Sequence, residues 1–498
     1  MIWLADGKQM KAIDSYSMGA LGIPSLVLME RAAYAAALRV DEFLKGDFSK
    51  KIAVVCGSGN NGGDGLALTR ILYTMGYEKI TWYMAGDPKK QTEQTKTQTD
   101  ILHRMKIEEG SFPECIHQAD LIVDALFGVG LSRPITGSFA QIIRQINESG
   151  RPVCALDMPS GISTDTGAVM GCAIKADFTV TFGLQKLGLV LYPGAEYAGK
   201  VFVENIGFPK EAVEQAGIQA QAYEKEDILE KLPKRTAYSN KGSYGRVLVI
   251  AGSENMAGAC YFSASAAYAL GCGLVRVFTV KENHDILLEK IPEAIMTVYD
   301  PNQVDMEVLG ECLAWADSVI LGPGLTTQRY ARSIVQYTLK NCKVPLLIDA
   351  DGLNILSMDS ALLELVPKGT VLTPHIGEMA RLLNCSASAI TGNLISTAVD
   401  YASAQGVICV LKDARSVITD GEKVYINLFG NDGMAKGGSG DVLSGVIGSL
   451  LARKMSPLDA AALGCAIHGC AGDEARKEKG SYGLLASDII QCFSKVVF

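Results

Sequence analysis

A short uncharged run, Ile52–Cys56, ends in Gly57-Ser58-Gly59-Asn60-Asn61-Gly62-Gly63-Asp64-Gly65 and passes into a helical period over residues 66–75. An unbroken Val- and Ile-rich strand needs cover on both faces, and a glycine turn leading straight into a helix opens a βαβ unit. Similar apolar runs follow at residues 79–84, 121–126, 153–156, 178–182 and 201–203, with amphipathic stretches at 94–105 and 139–146. This alternation predicts an α/β domain on a largely parallel sheet covered on both faces.

Residues 209–245 change character, carrying Glu224-Lys225-Glu226-Asp227 and Pro233-Lys234-Arg235, and the alternation then restarts. A strand is predicted over 246–251, its turn at Gly252-Ser253, a helix through 264–270, and later strands ending at Gly322, Asp349, Thr373 and Lys412. Past Gly440 the chain reads as helical. The expectation is two α/β domains, residues 1–217 and 225–498.

In the first domain, G-x-G-x-x-G between strand and helix offers backbone N–H groups to an anion. A dinucleotide fingerprint also wants an acidic residue closing the next strand, and Asp87 comes late for it. The polar Asn60, Asn61 and Asp64 exceed what a phosphate cradle needs and point to a substrate being handled. Two other strand ends, Asp124-Ala125-Leu126-Phe127-Gly128 and Asp157-Met158-Pro159-Ser160-Gly161, fall on the same edge of a parallel sheet. Asn61, Asp124, Asp157 and Ser160 can therefore converge there. Oxygen ligands without thiols suit a hard cation, while the competing reading has Asp124 and Asp157 capping loops and helices.

Together these motifs resemble the YjeF N-terminal family, the NAD(P)H-hydrate epimerases. The resemblance implies a Rossmann-like three-layer fold. It implies that Asn60, Asn61, Gly62, Gly63 and Asp64, with Gly128, Val129, Gly130, Leu131, Ser132, Arg133 and Pro134, hold a hydrated NADH or NADPH (NADHX or NADPHX). It further implies a potassium ion on Asn61, Asp124 and Ser160, with Asp157 against the damaged nicotinamide. Inversion at the hydroxyl-bearing C6 requires protons to move, so Asp157 is the catalytic candidate.

The second domain carries Lys436-Gly437-Gly438-Ser439-Gly440-Asp441 ahead of a helix. Small residues there let backbone N–H groups approach phosphate. An aspartate beside phosphate adds repulsion, which makes sense if Asp441 removes a proton from a hydroxyl meeting the phosphoryl group. The plainer reading is a helix-start acid favoured by the dipole. No G-x-x-x-x-G-K-[ST] loop occurs.

The Gly-Ser-Gly-Asp turn resembles the ribokinase superfamily. With Ala251-Gly252-Ser253, Gly258-Ala259, Gly322-Pro323-Gly324-Leu325, Asp349-Ala350-Asp351-Gly352-Leu353-Asn354 and Thr373-Pro374-His375-Ile376-Gly377-Glu378, it is similar to the YjeF C-terminal family, the ADP- or ATP-dependent NAD(P)H-hydrate dehydratases. The resemblance implies a ribokinase-like α/β fold in which Ala259, Gly322, His375 and Asp441 contact the hydrate. Lys412, Asp413, Ala414, Arg415, Ser416 and Gly440 would contact the adenine nucleotide. Asp349 and Glu378 would organise a magnesium ion through water.

The expected function is metabolite repair: epimerisation of the R and S hydrates, then dehydration of the S form with ADP or ATP, releasing AMP or ADP and phosphate. The runner-up readings are a Rossmann-type oxidoreductase fused to a small-molecule kinase, and a nucleotide-binding scaffold. A formal charge of −8 disfavours a nucleic-acid partner. Thirteen scattered cysteines without a C-x-x-C pair, and a start lacking a basic segment followed by an apolar one, give the expectation of a cytoplasmic protein. Residues 256–275 have membrane-spanning length but are small, so a buried helix and no membrane contact is expected. Cys465, His468 and Cys470 read as packed core. The apolar stretch 23–38 reads either as core or as the contact of a homo-oligomer.

Overall fold

The computed structural model describes residues 1–497 and divides into two compact units, Trp3–Gln219 and the chain from Ala220 onward together with Met1–Ile2. In the first unit, β1 (Ile52–Cys56), β2 (Ile80–Met84), β3 (Leu121–Ala125), β4 (Val153–Leu156), β5 (Phe178–Phe182) and β6 (Lys200–Glu204) form one parallel sheet in the order β2-β1-β3-β4-β5-β6. The alternation along β1 shows why it is apolar throughout. Ile52, Val54 and Cys56 join one buried cluster with helices α2 (Ser25–Leu44) and α3 (Asn60–Met75), while Ala53 and Val55 join another on the opposite face. The direction of winding reverses between β1 and β3, where parallel sheets of this kind open a crevice at their carboxyl ends. Helix α1 (Gly7–Gly19) is tied to this edge because Leu4 and Ala5 pair in parallel with Gln185 and Lys186.

The structure corrects the helix start read from the sequence. Helix α3 begins at Asn60, not at residue 66, so the polar residues assigned to a turn occupy its first turns. Glycine had been read as a loop signal, but here it permits close packing. A Cβ on Gly62 would lie 1.7 Å from the Gly57 carbonyl oxygen, and one on Gly65 would lie 2.5 Å from the Ala125 Cβ. The helix can start against the end of its own strand only with hydrogen at those positions.

The second unit has strands β7 (Arg246–Ile250), β8 (Leu274–Val280), β9 (Ile295–Tyr299), β10 (Ser318–Leu321), β11 (Leu346–Ile348), β12 (Val371–Leu372) and β13 (Ile408–Leu411). They are parallel, in the order β9-β8-β7-β10-β11-β12-β13, with the reversal between β7 and β10. A hairpin missed from the sequence, Val417–Thr419 and Val424–Ile426, extends the sheet antiparallel, and Ala220–Ala222 pairs on its far side. The small-residue run holds helix α4 (Ala257–Ala269), packed against α7 (Ser439–Ala452) so closely that a Cβ on Gly445 would sit 2.2 Å from the Ser263 carbonyl oxygen. Between them in sequence lie α5 (Asp351–Met358) and α6 (Ile376–Leu383), and α8 (Pro457–Gly483) buries Cys465, His468 and Cys470. No described helix is long and apolar enough to cross a membrane. The stretch 23–38 is both core and surface: Leu28, Met29, Ala32 and Ala36 are buried, and Leu26, Val27, Tyr34 and Leu38 face outward.

Gly62→Ala should therefore lower the stability of the first unit by about 3 kcal/mol. Gly130→Ala, where nothing lies within 4 Å of the added carbon, should leave it nearly unchanged. Thermal unfolding of both variants against the wild-type chain checks the difference; equal melting would contradict the packing account.

Candidate active sites

The crevice at the carboxyl edge of the first sheet is a cavity of about 560 Å³ lined from α1, α2, α3 and the loops after β1, β3 and β4. Asn60, Asn61, Asp64, Gly128, Val129, Gly130, Leu131 and Asp157 all line it, so the structure brings these sequence-selected residues together. Gly62 and Gly63 instead turn inward, the latter toward Met29 and Thr95. Ser132, Arg133 and Pro134 are exposed beyond the lining.

Asp157 stands at φ +65°, a left-handed conformation uncommon for a residue with a Cβ and typical of strained functional positions. Its Oδ2 accepts from the Val129 N–H at 3.2 Å, and its Oδ1 lies 2.7 Å from Nζ of Lys186. Lys186 is fully buried, a state lysine tolerates only when paired. Its ammonium also donates to Thr181 Oγ1 at 2.8 Å and to the Phe182 carbonyl at 2.6 Å, so its geometry is fixed. The sequence reading missed Lys186; its signal was a single charge in the otherwise uncharged stretch 178–191. Asp14 of α1 was missed too.

Burial and the charge of Asp157 push the Asp14 carboxyl up to about 6, and burial drives Asp64 well above the usual carboxylate range. Beneath the pocket, Ser160 donates through Oγ to Asp124 Oδ1 at 2.7 Å and through its backbone N–H to Oδ2 at 2.8 Å. Burial pushes Asp124 up to about 6 against the pull of those bonds. Asn61 has both side-chain polar atoms shielded from solvent with no hydrogen-bond partner among the described residues.

In the second unit the loops at the β7/β10 reversal touch directly, Gly252 N–H donating to the Pro323 carbonyl at 2.8 Å. Gly322 (φ +120°) passes so near the next strand that a Cβ would meet the Asp349 carbonyl oxygen at 2.1 Å. Asp349 is the hub. Its Oδ1 is 2.8 Å from Lys412 Nζ, and its Oδ2 accepts from Ser444 Oγ of α7 at 2.7 Å. Burial alone would push Asp349 up, but the Lys412 charge and these hydrogen bonds hold it below the usual carboxylate range.

Gly440, the second residue of α7, lies beside this pair, and a Cβ there would sit 3.4 Å from Lys412 Nζ. Asp441 follows in the first helical turn. Burial and the neighbouring Asp349 push it up to about 7, with Lys412 pulling the other way. Ala259 on α4 packs against Gly324, where an added Cβ would lie 2.9 Å away.

Two of the expected ligand contacts also hold the fold. His375 caps α6: its Nδ1 accepts from the N–H groups of Gly377 at 2.9 Å and Glu378 at 3.3 Å, while Nε2 lies 3.4 Å from Glu378 Oε1. Lys412, expected on the nucleotide, has its ammonium committed to Asp349, while Asp413, Ala414, Arg415 and Ser416 form the turn that joins β13 to the hairpin. Glu378 returns Oε2 to the His375 N–H at 2.8 Å, and burial pushes its carboxyl up to about 7.

Comparison with known proteins places these edges among relatives. Residues 25–188 match the model of the YjeF-related protein N-terminus and residues 247–495 that of NAD(P)H-hydrate dehydratase. The chain is 37% identical to a bifunctional NAD(P)H-hydrate repair enzyme of Moorella thermoacetica, covering 98% of this chain and 95% of that protein. It is 35% identical to one from Escherichia coli, covering 100% and 94%. A ribokinase-like superfamily protein of Enterococcus faecalis superposes with a TM-score of 0.51 at 27% identity, covering 56% of this chain and 95% of that one.

Removing the Lys412 ammonium would leave Asp349 buried without its counter-ion. Lys412→Met should destabilise the second unit by about 3–5 kcal/mol. Adding Asp349→Asn should recover most of that loss in denaturant unfolding, and additive losses would show that the pair is not the hub.

Proposed function

The chain belongs to the bifunctional NAD(P)H-hydrate repair enzymes, and we propose that its units divide the family's two reactions, the first interconverting the R and S hydrates and the second dehydrating the S form with ADP or ATP. Spontaneous hydration gives both epimers, whereas a chiral dehydratase pocket takes one, so joining the two activities lets both be repaired. The single observation that carries the dehydratase half is Asp441: a carboxyl poised near 7 in the first turn of a helix whose glycine-rich start suits a phosphoryl group.

Hydroxide is a poor leaving group. In this reading Asp441 takes the proton of the C6 hydroxyl as that oxygen bonds to the terminal phosphorus of the nucleotide, and the P–O bond to AMP or ADP breaks. The ring nitrogen lone pair then expels phosphate from C6, and loss of a proton from C5 restores the dihydropyridine. Gly440 and its neighbours supply N–H groups to the phosphates. Ser263 Oγ fastens the turn by donating to the Asp441 carbonyl at 3.0 Å. In this reading Ala259, Gly322 and His375 contact the hydrate.

Asp349 and Glu378 do not fit as direct ligands of magnesium, and would reach it only through water. The oxygens of Asp349 are taken by Lys412 and Ser444, and Glu378 is engaged with the backbone of His375. Magnesium would enter with the nucleotide phosphates. A potassium ion does fit Asn61, Asp124 and Ser160: Asn61 Oδ1 lacks a partner and Asp124 is a carboxyl buried without a cation. When bound, that ion supplies positive charge for an anionic dinucleotide in a pocket whose charged lining is Asp14, Asp64 and Asp157 with Lys11 and Lys186. In the epimerase half, Asp157 contacts the nicotinamide, its geometry fixed by Lys186. Thirteen free thiols support a reducing, cytoplasmic setting.

Asp441→Asn should keep nucleotide affinity and lose turnover by about 100-fold or more. In the wild-type chain, dehydration should rise with pH through about 7 as Asp441 loses its proton, and that limb should vanish in the variant. Recovery of the reduced-nicotinamide absorbance from purified S hydrate measures both; full activity of Asp441→Asn would remove this carboxylate from the reaction.

A further inference from the structure

We propose that Asp14 is a second proton-transferring carboxylate of the epimerase pocket, acting on the hydrate from the α1 wall while Asp157 acts from the sheet edge. The inference rests on reading the first unit as the epimerase. Met10, Lys11, Asp14 and Met18 all line the cavity, and spacings of four residues place Met10, Asp14 and Met18 on one stripe of α1. Asp14 therefore faces the same space as Asp157 but comes from a different element.

The two carboxyls are held differently. Asp157 is ion-paired to the Lys186 ammonium at 2.7 Å, which fixes where its carboxyl stands. The Asp14 carboxyl makes no hydrogen bond or ion pair with another described residue, and it lies in the field of Asp157. Burial and that charge raise it to about 6, opposed by Lys186, so it holds a proton well above the ordinary carboxylate range. The other charged groups around the cavity are Lys11 on the same helix and Asp64 on α3. Burial drives Asp64 well above the usual carboxylate range, whereas a group near 6 can release a proton and regain it near neutrality. A pair of carboxyls with opposed environments is the arrangement that separates acid from base.

The step balances. The ring nitrogen lone pair forms C6=N, the C6–O bond breaks, and the departing hydroxyl takes the Asp14 proton and leaves as water. Water adds to the other face of the iminium, the C6–O bond forms, the C=N electrons return to nitrogen, and the surplus proton passes to Asp157. One proton enters and one leaves, and the opposite epimer uses the pair in reverse.

The test compares full-length wild type, Asp14→Asn and Asp14→Glu, following conversion of R to S hydrate by chromatography without nucleotide, so that dehydration is silent. Asp14→Asn should lower kcat by about 100-fold or more with little change in KM. The fall in rate as pH rises above about 6 in the wild type should disappear in that variant, and Asp14→Glu should restore part of the rate. Dehydration of S hydrate with ADP should be unaffected, which verifies folding. A wild-type rate in Asp14→Asn, or a loss confined to KM with the pH limb intact, overturns the role of Asp14. Failure of the wild-type chain itself to convert R to S overturns the epimerase reading and this inference with it, a result distinguishable from failure at Asp14 alone.

Discussion

A lysine ammonium paired with a buried aspartate at the carboxyl edge of a parallel sheet organises each unit. In the first, Lys186 stands 2.7 Å from Asp157; in the second, Lys412 stands 2.8 Å from Asp349. Taking such charges out of water is costly, and the pairs persist because the remaining donors and acceptors are also satisfied, by Thr181 and Phe182 in one case and Ser444 in the other. The cost yields a fixed charge at a fixed place. Around it, the glycines of both edges let backbone and helix starts approach more closely than any side chain would allow.

That fixed charge sorts the carboxyls around it. Asp349 is kept ionised, and its negative charge helps to keep a proton on nearby Asp441 up to about 7. In the other unit the charge of Asp157 does the same to Asp14, up to about 6. Both edges thus hold one carboxylate paired with a lysine and one carboxyl able to exchange a proton near neutrality. Proton movement is what inversion at a hydroxyl-bearing carbon and activation of a hydroxyl toward phosphate have in common. Two reactions on one damaged cofactor can therefore be served by edges built on the same principle, although their surrounding loops share no sequence.

Much of this was legible in the residues. Unbroken apolar runs gave the parallel strands because burial on both faces leaves no room for polar alternation, and the strand ends at Asp124, Asp157, Gly322 and Asp349 were read at the sheet edge where they lie. The start of α3 was misread because glycine marks loops and close packing alike, and only the position of the Gly57 carbonyl tells them apart. Lys186 and Asp14 were invisible for another reason: each is a single charge whose meaning depends on what the fold places opposite it. His375 was picked out, but the capping bonds to Gly377 and Glu378 emerge only once α6 is in place. The short hairpin after β13 lacked length and period enough to register.

In the proposed function, two lysine-anchored edges act in succession on one substrate. This succession is tested most directly by giving the chain a mixture of R and S hydrates of NADH with ADP and following the reduced-nicotinamide absorbance to completion. The wild-type chain should recover the whole mixture, whereas Asp157→Asn should recover quickly only the S fraction and leave the R hydrate to its slow spontaneous inversion. Equal, complete recovery by Asp157→Asn at the wild-type rate would contradict the account.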